Sequence, residues 1–592
     1  MCVWPVTINF LTKSFSSQRV PDLHPSMAIQ FKLWILFLAS ISRLFFFQAH
    51  CLSYQVPINY SFMKDGSDAP TESYYDYIVV GGGTTGIPLA TTLSWASRVL
   101  VLERGGSPYA NSNITNLSGF TSSLCDPSPT SPAQRFVSEE GVSNIRARVL
   151  GGGTCINAGF YSRASRDFVA EVGWDAALVN RSYSWVEDLL VQEPWVSSPW
   201  QSAARRGLVE AGVTPDNGFT NDHLVGTKYS GTTFDREGRR HTAADLLQQA
   251  NPEGIAVLLN STAHRILFTS KGRSRPIAYG VIFTDSDGAE HKAFLSNGPN
   301  NEIVVSAGTI GSPQLLMLSG VGPKDHLQSL GIDVVIDHPF VGQGIFDNPY
   351  NAIYIPSPSP VEMFIGQLVS ITAFDSYIVP LAGARFFTCP STAAEEAEAS
   401  SFRGGFIGTK VGKPRSRGHL RLLDTNPGTN PSVAFNYYNE REDVDTCVKG
   451  LETIERVVMS GAFSEFRPSD ASFGSLLDGT VEYLGIARRG RPESYSQSLE
   501  QYCRDTVMPV WHYHGSCQVG RVVDRDYRVL GVDALRVLDG SVFGASPGTN
   551  PQATLMMLGR YMGVKMQAER LRTEEAPNWQ HGGSWFGSWD QE

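Results

Sequence analysis

The stretch "YDYIVVGGGTTGIPLATTLS" (Tyr75–Ser94) decides the fold, because a short apolar run leads straight into closely spaced glycines. The run Tyr77–Val80 is aromatic, branched and brief, which is typical of a buried parallel strand. After the glycines, Ile87, Ala90 and Leu93 form an apolar stripe with helical spacing. The stretch therefore predicts a strand, a tight turn and a helix.

The turn carries the pattern G-x-G-x-x-G at Gly81, Gly83 and Gly86, with Thr84 and Thr85 between the last two glycines. In a strand–turn–helix unit, the first glycine permits the turn, the second lets a pyrophosphate approach the backbone, and the third lets the helix pack on the strand. The helix N-terminus then offers free N–H groups and a positive dipole end to the phosphates.

A second strand pattern, "RVLVLERGG" (Arg98–Gly106), ends with Glu103, 17 residues after Gly86. A carboxylate at this strand tip can accept hydrogen bonds from both ribose hydroxyls of an adenosine, although a solvated strand-end Glu is the alternative. A glycine-rich turn alone is often only a turn. The whole order of strand, glycines, helix, strand and Glu predicts a dinucleotide site that binds an ADP moiety.

Composition sets limits on the kind of protein. With 592 residues, 42% of them apolar, the chain is long enough for a large core and is expected to form two domains. A net charge of −10 without a lysine-rich run argues against nucleic-acid binding. The cysteines show no C-x-x-C spacing, so no metal site is predicted.

The N-terminus resembles a secretory signal. Lys32 precedes the apolar run "LWILFLAS", and small residues follow near Ala49–Ser53. Arg43 interrupts the apolar region, so a transmembrane helix is not predicted. Translation from Met27 is favoured over an unusually long leader, and the segment 1–53 is interpreted as leader.

Secretion agrees with the presence of glycosylation sequons and of cysteines beyond the leader. The possible acceptors are Asn59, Asn113, Asn116, Asn180 and Asn260. The cysteines are Cys125, Cys155, Cys389, Cys447, Cys503 and Cys517. In an oxidising compartment, we expect one or more disulfides among them.

Three further segments combine glycines with strand and helix patterns. They are "RARVLGGGTCINAGFYSRAS" (Arg146–Ser165), "EIVVSAGTIGSPQLLMLSGVG" (Glu302–Gly322) and "LRVLDGSVFGASPGTNPQATLMMLGRYMG" (Leu535–Gly563). Together with the opening stretch they resemble the glucose-methanol-choline (GMC) family of FAD-dependent oxidoreductases, from Tyr75 to about Arg570. The segment "VWHYHGSCQVGRVVD" (Val510–Asp524) resembles the plant branch that contains HOTHEAD-like dehydrogenases and mandelonitrile lyases.

This resemblance implies an α/β protein, α+β overall, with a discontinuous Rossmann-like FAD-binding domain at 74–348 and 501–572. It also implies an inserted substrate domain at 349–500, an antiparallel sheet backed by helices. The segments "GHLRLLDTNP" (Gly418–Pro427) and "NPSVAFNYY" (Asn430–Tyr438) are interpreted as strands of that sheet. The remaining segment, 573–592, is expected to be a flexible tail.

The resemblance also assigns residues to FAD. Those predicted to bind it are Gly81, Gly83, Thr84, Thr85, Gly86, Glu103, Val149, Gly153, Thr154, Asn157, Asp539, Asn550, Pro551 and Gln552. In addition, the lyase-like relatives suggest a disulfide between Cys447 and Cys503.

Oxidation of an alcohol needs a base for the hydroxyl proton and a polar partner for the oxygen. By resemblance, the base lies eight residues before Gly520, which is His512. An extended segment would place His514 on the same side as a supporting group. Asn550, 38 residues after His512, occupies the second catalytic position, where the lyases carry a histidine. Its alternative role is a helix cap before Pro551.

Three functions remain open from the sequence: an FAD-dependent alcohol dehydrogenase or oxidase, a hydroxynitrile lyase with non-redox FAD, and a non-catalytic FAD-bearing glycoprotein. The first is favoured by His512 and Asn550. If the HOTHEAD-like resemblance extends to substrates, long-chain ω-hydroxy fatty acids are the leading guess. The run "PVEMFIGQLVSITAF" (Pro360–Phe374) is interpreted either as the lining of an apolar channel or as a buried core helix.

Overall fold

The computed structural model describes residues 60–194, 198–362, 367–383, 389, 403–486 and 494–575. The predicted leader and the Asn59 sequon precede these ranges and lie outside the described residues. The last helix extends to Glu575, three residues into the predicted tail, and 576–592 lie outside as well. Within the described ranges, none of the helices combines the length and apolarity that a membrane span requires.

A six-stranded, fully parallel sheet is built around the opening motif, in the order β1–β11–β4–β3–β15–β25. Its strands are β1 (Met63–Asp65), β3 (Tyr77–Val80), β4 (Val99–Leu102), β11 (Ile255–Leu259), β15 (Glu302–Val305) and β25 (Leu535–Val537). Every residue of β3 and β4 is buried, which explains their uninterrupted apolar sequences. The predicted strand–turn–helix unit and the Rossmann-like sheet are confirmed.

A second six-stranded sheet has the order β19–β22–β21–β20–β9–β8 and is antiparallel except for the pair β8/β9. Its strands are β8 (Asp216–Phe219), β9 (Gly226–Tyr229), β19 (Tyr350–Pro356), β20 (Leu368–Ile371), β21 (Ser376–Ala382) and β22 (Gly404–Val411). Alternation sends Ile353, Ile378 and Ile407 to one face, where they join the apolar core formed with the helices behind the sheet. The expected antiparallel sheet backed by helices is therefore present.

The remaining strands form smaller sheets. They are β2 (Glu72–Tyr75), β5 (Ala133–Val137), β6 (Ser143–Ala147), β7 (Phe160–Tyr161), β10 (Gly231–Thr232), β12 (Thr262–Thr269), β13 (Ile277–Thr284), β14 (Glu290–Leu295), β16 (Val321–Gly322), β17 (Ile336–Asp337), β18 (Gln343–Ile345), β23 (Gly418–Arg421) and β24 (Ser432–Ala434). The predicted strands β23 and β24 exist, but they belong to a separate three-stranded sheet, in which β23 pairs with β18 and β24, and not to the large antiparallel one.

Helices cover both large sheets. They are α1 (Gly86–Leu93), α2 (Ser112–Thr115), α3 (Phe120–Cys125), α4 (Arg166–Val172), α5 (Ala176–Leu190), α6 (Pro199–Glu210), α7 (Gly308–Leu318), α8 (Lys324–Ser329), α9 (Arg441–Met459), α10 (Phe473–Tyr483), α11 (Leu499–Asp505) and α12 (Gln552–Glu575). α12 packs closely on α1: a side chain on Gly559 would collide with the Thr85 carbonyl oxygen at 2.3 Å.

The run Pro360–Phe374 is not a core helix where it is described, because Leu368–Ile371 forms strand β20; residues 363–366 lie outside the described part. The large antiparallel sheet draws β8 and β9 from a segment that precedes residue 349. The domain boundaries inferred from the sequence remain predictions.

Two disulfides link distant parts of the described chain. Cys447 of α9 is bonded to Cys503 of α11, the pair that the resemblance suggested. Cys125 is bonded to Cys389, a pairing that the sequence left open. Cys155 and Cys517 are buried and free.

The sequons inside the described ranges differ in accessibility. Asn113 and Asn180 are exposed, and Asn116 is partly buried. Asn260 is also partly buried, and its amide nitrogen donates to Asp65 at 2.6 Å. Glycosylation at any of them remains a prediction.

Candidate active site

The carboxyl ends of β3, β4, β15 and β25 meet along one edge of the parallel sheet, the position at which such sheets bind ligands. A cavity of about 290 Å³ opens there, and we call it the first cavity. Its walls combine the three glycine-containing turns with Glu103 and Asp539. The segments that the sequence analysis singled out separately are therefore brought to one place.

The opening glycines have three different surroundings. A Cβ on Gly81 would lie 2.3 Å from the Ser306 carbonyl oxygen, and its φ of 108° is one that side chains rarely adopt. A Cβ on Gly86 would lie 2.1 Å from the Gly81 oxygen, so this glycine allows close packing. A Cβ on Gly83 would meet nothing nearer than 3.9 Å and would project into free space. Gly81 and Gly83 line the first cavity, whereas Gly86 supports it from behind.

The threonines between these glycines also line the first cavity. The Thr85 hydroxyl is buried, has no hydrogen-bond partner in the described structure, and stands immediately before α1. An unpartnered hydroxyl beside the N-terminus of an eight-residue helix suits an anionic ligand.

Glu103 is buried at the end of β4, and backbone N–H groups hold both of its carboxylate oxygens. Gly82 donates to Oε2 at 3.0 Å, and Gly105 donates to Oε1 at 2.8 Å. Burial raises the pKa of Glu103, while these two hydrogen bonds act in the opposite direction. Each oxygen keeps a lone pair for a further donor, so the predicted ribose contact is sterically and chemically possible.

Asp539 holds the opposite end of the cavity. Its Oδ2 accepts from the Gly308 N–H at 2.9 Å and from the Ser312 hydroxyl at 2.5 Å, and its Oδ1 accepts from the Ser541 N–H at 2.8 Å. Burial raises the pKa of this carboxyl group. Asp539 thus joins the turn after β15 to the turn after β25.

The second glycine cluster supplies the next wall, with Val149, Gly153 and Asn157 among its lining residues. Asn157 donates to Oε1 of Gln552 at 2.9 Å, and Gln552 donates to the Phe160 carbonyl at 2.5 Å. This pair connects the cluster to the start of α12.

Thr154 differs from the prediction. Its hydroxyl donates to the Gly151 carbonyl at 2.6 Å and accepts from the Ala243 N–H at 2.9 Å. The side chain is fully buried and does not line the cavity. Its role in this structure is to shape the turn.

The first cavity has lining residues that the sequence analysis did not identify. The turn Ser306–Gly311 contributes backbone and side-chain atoms. Its strand–glycine–helix pattern was recognised, but no contact was assigned to it. Arg146 also lines the cavity, with Nη1 donating to Gln314 at 3.0 Å and Nη2 buried without a described partner.

A second cavity of about 140 Å³ adjoins the first. The residues that line both are Asn157, Ala158, Phe160, Val510, Trp511, His512 and Asn550. The predicted catalytic residues therefore stand at the boundary between the two cavities.

The far wall of the second cavity is one face of the large antiparallel sheet. Lys410 on β22 pairs directly with Tyr350 on β19 and with Tyr377 on β21. Residues paired in this way point to the same face, and all three line the cavity. Gly408, two residues before Lys410, leaves the space that the Tyr350 phenol occupies. The sheet thus presents a Tyr–Lys–Tyr row to the cavity.

His512 reaches the boundary from an irregular segment. Its backbone N–H donates to Oδ1 of Asp347 at 2.9 Å, and its Nδ1 has no described hydrogen-bond partner. Burial, followed by the positive charge of Lys410, lowers the pKa of His512 well below its usual range. The imidazole is therefore neutral near neutral pH and available as a proton acceptor.

His514 does not share this position. It is fully buried between the rings of Phe346 and Phe543, at centroid distances of 5.1 and 6.0 Å. It lines neither cavity of the described structure. The expectation that His514 lies on the side of His512 depended on an extended segment, and residues 511–513 form no strand, while His514 makes only an isolated bridge to Phe346.

Asn550 lines both cavities, and its side chain makes no hydrogen bond to any residue that the structure describes. Helix α12 begins at Gln552, so Asn550 and Pro551 precede it. Both Pro551 and Gln552 line the first cavity. The amide of Asn550 is free to bind a ligand oxygen.

With this geometry, comparison with known proteins becomes informative. Two family profiles, both described as GMC oxidoreductase, match residues 75–350 and 414–559. The chain belongs to the GMC oxidoreductase family.

Individual relatives cover most of the chain. Protein HOTHEAD of Arabidopsis thaliana is 48% identical over 86% of this chain and 90% of its own length. An (R)-mandelonitrile lyase-like protein of the same plant is 45% identical, over 86% and 93%. Sinalpyl alcohol oxidase Nec3 of Nesocodon mauritianus is 44% identical, over 86% and 92%. A solved structure of Aspergillus oryzae formate oxidase, 18% identical, superposes with a TM-score of 0.70 over 85% of this chain and all of its own.

FAD is the cofactor of this family, and the residues present fit it. Gly83 and Gly153 leave the cavity free where a side chain would protrude. The unpartnered Thr85 hydroxyl and the N-terminus of α1 suit the pyrophosphate. Glu103 and Asp539 line the cavity and would have carboxylate oxygens available for the sugar and ribityl hydroxyls.

Proposed function

We propose that this protein oxidises the CH–OH group of an alcohol, with His512 removing the hydroxyl proton and Asn550 binding the oxygen. The observation that carries the proposal is the position of both side chains at the boundary of the two cavities, where Nδ1 of His512 has no hydrogen-bond partner among the described residues. The relative named as an alcohol oxidase, 44% identical, supports the same reaction class.

When bound in the first cavity, FAD supplies the acceptor for the hydride of the carbinol carbon. His512 takes the hydroxyl proton on its imidazole, so that an aldehyde or ketone forms. Because the pKa of His512 is lowered, the base stays unprotonated well into the acidic range. Asp347 fixes the backbone of His512, and the Asn550 amide can donate to the alkoxide oxygen as its charge grows.

Anaerobic mixing of the holoenzyme with a panel of primary and secondary alcohols tests this function. We expect at least one alcohol to bleach the flavin absorbance in a single turnover, with one carbonyl product per flavin. The rate constant of bleaching should show no decline between neutral pH and the mildly acidic range. If no alcohol bleaches the flavin, the proposal is wrong.

The alternative function is that of a hydroxynitrile lyase, and the 45% identity to an (R)-mandelonitrile lyase-like protein supports it. Mandelonitrile added to the same anaerobic enzyme distinguishes the two. Cyanide release without bleaching would favour the lyase. We expect cleavage no faster than the uncatalysed rate, because Asn550 cannot shuttle a proton as a histidine does.

We also infer that the mature protein enters the secretory pathway. The support is the signal-like N-terminus and the two disulfides of the described chain, which form in oxidising compartments. N-terminal sequencing of protein recovered from the medium of plant cells should show cleavage near Ala49–Ser53. Full retention of the uncleaved chain in the cytosol would contradict the inference.

A further inference from the structure

The second cavity contains a charged group that the proposed reaction does not use. Lys410 is 2% exposed and is the second-to-last residue of β22, with its Nζ 4.4 Å from the centre of the Tyr377 ring. Its ammonium has no hydrogen-bond partner among the described residues. Among the described residues that line this cavity, it is the one lysine, and no arginine, aspartate or glutamate is present.

The fold contains a second buried lysine, and the ammonium of this one is hydrogen-bonded. Lys228 is fully buried, and its Nζ donates to the Ser162 hydroxyl at 2.9 Å and to the carbonyls of Thr220 and Asp222 at 3.2 and 2.6 Å. Three acceptors therefore compensate Lys228, while Lys410 has none. A buried ammonium without acceptors is costly, so the contrast points to a ligand that supplies them.

The nearby carboxylate does not fill this role. Asp347 influences Lys410 electrostatically, but its oxygens accept from the backbone of Asn348 and His512 and from the Tyr437 hydroxyl. The other titratable groups that interact with Lys410 are His223, His512 and His514, all of which can only add positive charge. An anion beside Lys410 would balance the charge of the ammonium, which otherwise opposes proton uptake by His512.

The volume of the second cavity limits the size of the molecule that could bring an anionic group to Lys410. Its volume of about 140 Å³ is close to that of the engineered cavity, about 150 Å³, that holds one benzene molecule. The rings of Phe160, Tyr377 and Trp511 line it. His512 and Lys410 both line this cavity and interact electrostatically, so an occupant of one ring's size can lie between them.

We propose that Lys410 binds a carboxylate on the alcohol substrate, so that the preferred substrates are compact hydroxy acids about one ring in length. This inference rests on the proposed alcohol oxidation at His512. It makes a long-chain ω-hydroxy fatty acid a poor fit, since the carboxylate of such a chain would lie far beyond this cavity when its alcohol reaches His512.

A matched pair of substrates tests whether Lys410 binds the substrate carboxylate, a contact that we call the anchor. We expect the wild-type holoenzyme to oxidise 4-(hydroxymethyl)benzoate with a kcat/KM roughly 10- to 100-fold above that of its methyl ester, as one hydrogen-bonded charge pair provides. Lys410→Met should bring the ratio of kcat/KM for acid and ester close to one, whatever the absolute rate of either substrate. Lys410→Arg, which keeps the charge, should retain part of the preference for the acid. Equal rates for acid and ester in the wild type, or equal losses for both in Lys410→Met, would overturn the proposal.

A binding measurement distinguishes carboxylate binding by Lys410 from the oxidation of the alcohol. Titration calorimetry with 4-methylbenzoate, which has no alcohol to oxidise, should show binding to the wild-type holoenzyme and none to Lys410→Met. Absence of binding to the wild type would overturn the anchor whatever the redox result. If the acid binds through Lys410 but no alcohol bleaches the flavin, the anchor stands and the proposed oxidation fails.

Discussion

The two adjoining cavities are built in opposite ways. In the first, the two carboxylates, Glu103 and Asp539, are already hydrogen-bonded to the protein, and glycines leave backbone atoms open to the ligand. In the second, aromatic rings surround side chains whose polar atoms have no described partner, namely Nδ1 of His512 and Nζ of Lys410. The first arrangement suits a large, tightly bound cofactor. The second leaves hydrogen-bonding groups available to a substrate that binds and dissociates in each turnover.

The largest effect should come from closing the first cavity. Gly83→Leu places a side chain where a Cβ has 3.9 Å of clearance, so the fold should tolerate it while the pyrophosphate cannot approach. We expect a folded, colourless protein without FAD, assayed by flavin absorbance after denaturation. Gly461→Leu, at an exposed glycine with nothing within 4 Å of a Cβ, is the control and should keep its FAD. Normal FAD content in Gly83→Leu would contradict our account of this turn.

The next effect concerns the two histidines. His512→Ala should slow flavin reduction by about 10²- to 10⁴-fold, the usual contribution of a general base, while FAD remains bound. His514→Ala should reduce at nearly the wild-type rate. Its cost should instead be about 0.5–3 kcal/mol of unfolding free energy, because it leaves a void between Phe346 and Phe543. Stopped-flow reduction and thermal unfolding measure the two effects. Equal losses of rate in both variants would mean that the wrong histidine was assigned.

Asn550 should matter less than His512 because it donates a hydrogen bond and moves no proton. Asn550→Ala is expected to slow reduction by about 10-fold, with the pH profile unchanged. Asn550→His restores the residue of the lyase-like relatives. Measurable cyanohydrin cleavage in that variant, together with slower alcohol oxidation, would show that position 550 helps to choose the reaction. A pH profile altered by Asn550→Ala would argue against a purely hydrogen-bonding role.

The last prediction concerns the stability of the fold and its dependence on pH. Burial lowers the pKa of Lys410 from 10.5 to about 7, so below the folded pKa the lysine is charged in both states and its burial penalty is complete. As pH rises from about 7 towards 10.5, only the unfolded state binds the proton, and the penalty disappears. Lys410→Met should therefore gain on the order of 1–4 kcal/mol at or below neutral pH and progressively less in alkaline buffer, with Asp347 offsetting part of the gain. A gain that grows with pH, in thermal unfolding of the ligand-free holoenzyme, would contradict the sign.

The residues of the first cavity could be predicted from the sequence more directly than those of the second. Gly81, Gly83 and Glu103 lie within 23 residues of one another and follow strand signals that are visible locally. His512 and Asn550 required a resemblance, because nothing in their neighbourhood distinguishes them from structural residues. Lys410 was missed, although a lysine inside the apolar run "GGFIGTKVG" was a detectable irregularity in a strand that proves to be wholly buried.

His514 and Thr154 show the opposite error. Both belong to motifs, and both have side chains turned into the protein instead of the cavities. Residues two apart share a face only in regular extended backbone, and the segment that leads to His514 forms no regular strand. A motif specifies which chain segment approaches the ligand, but the direction of each side chain follows from its φ/ψ angles.

The sequence by itself determined the parallel sheet, its dinucleotide turn and the membership in the GMC family, because these depend on short-range spacing of glycines and apolar residues. Only the tertiary structure showed which side chains line the second cavity. Tyr350, Tyr377 and Lys410 come together through the register of three antiparallel strands, and the chain must fold before that register exists. Long-range strand pairing places side chains side by side without leaving a local signal, so the substrate-facing wall became visible only in the folded protein.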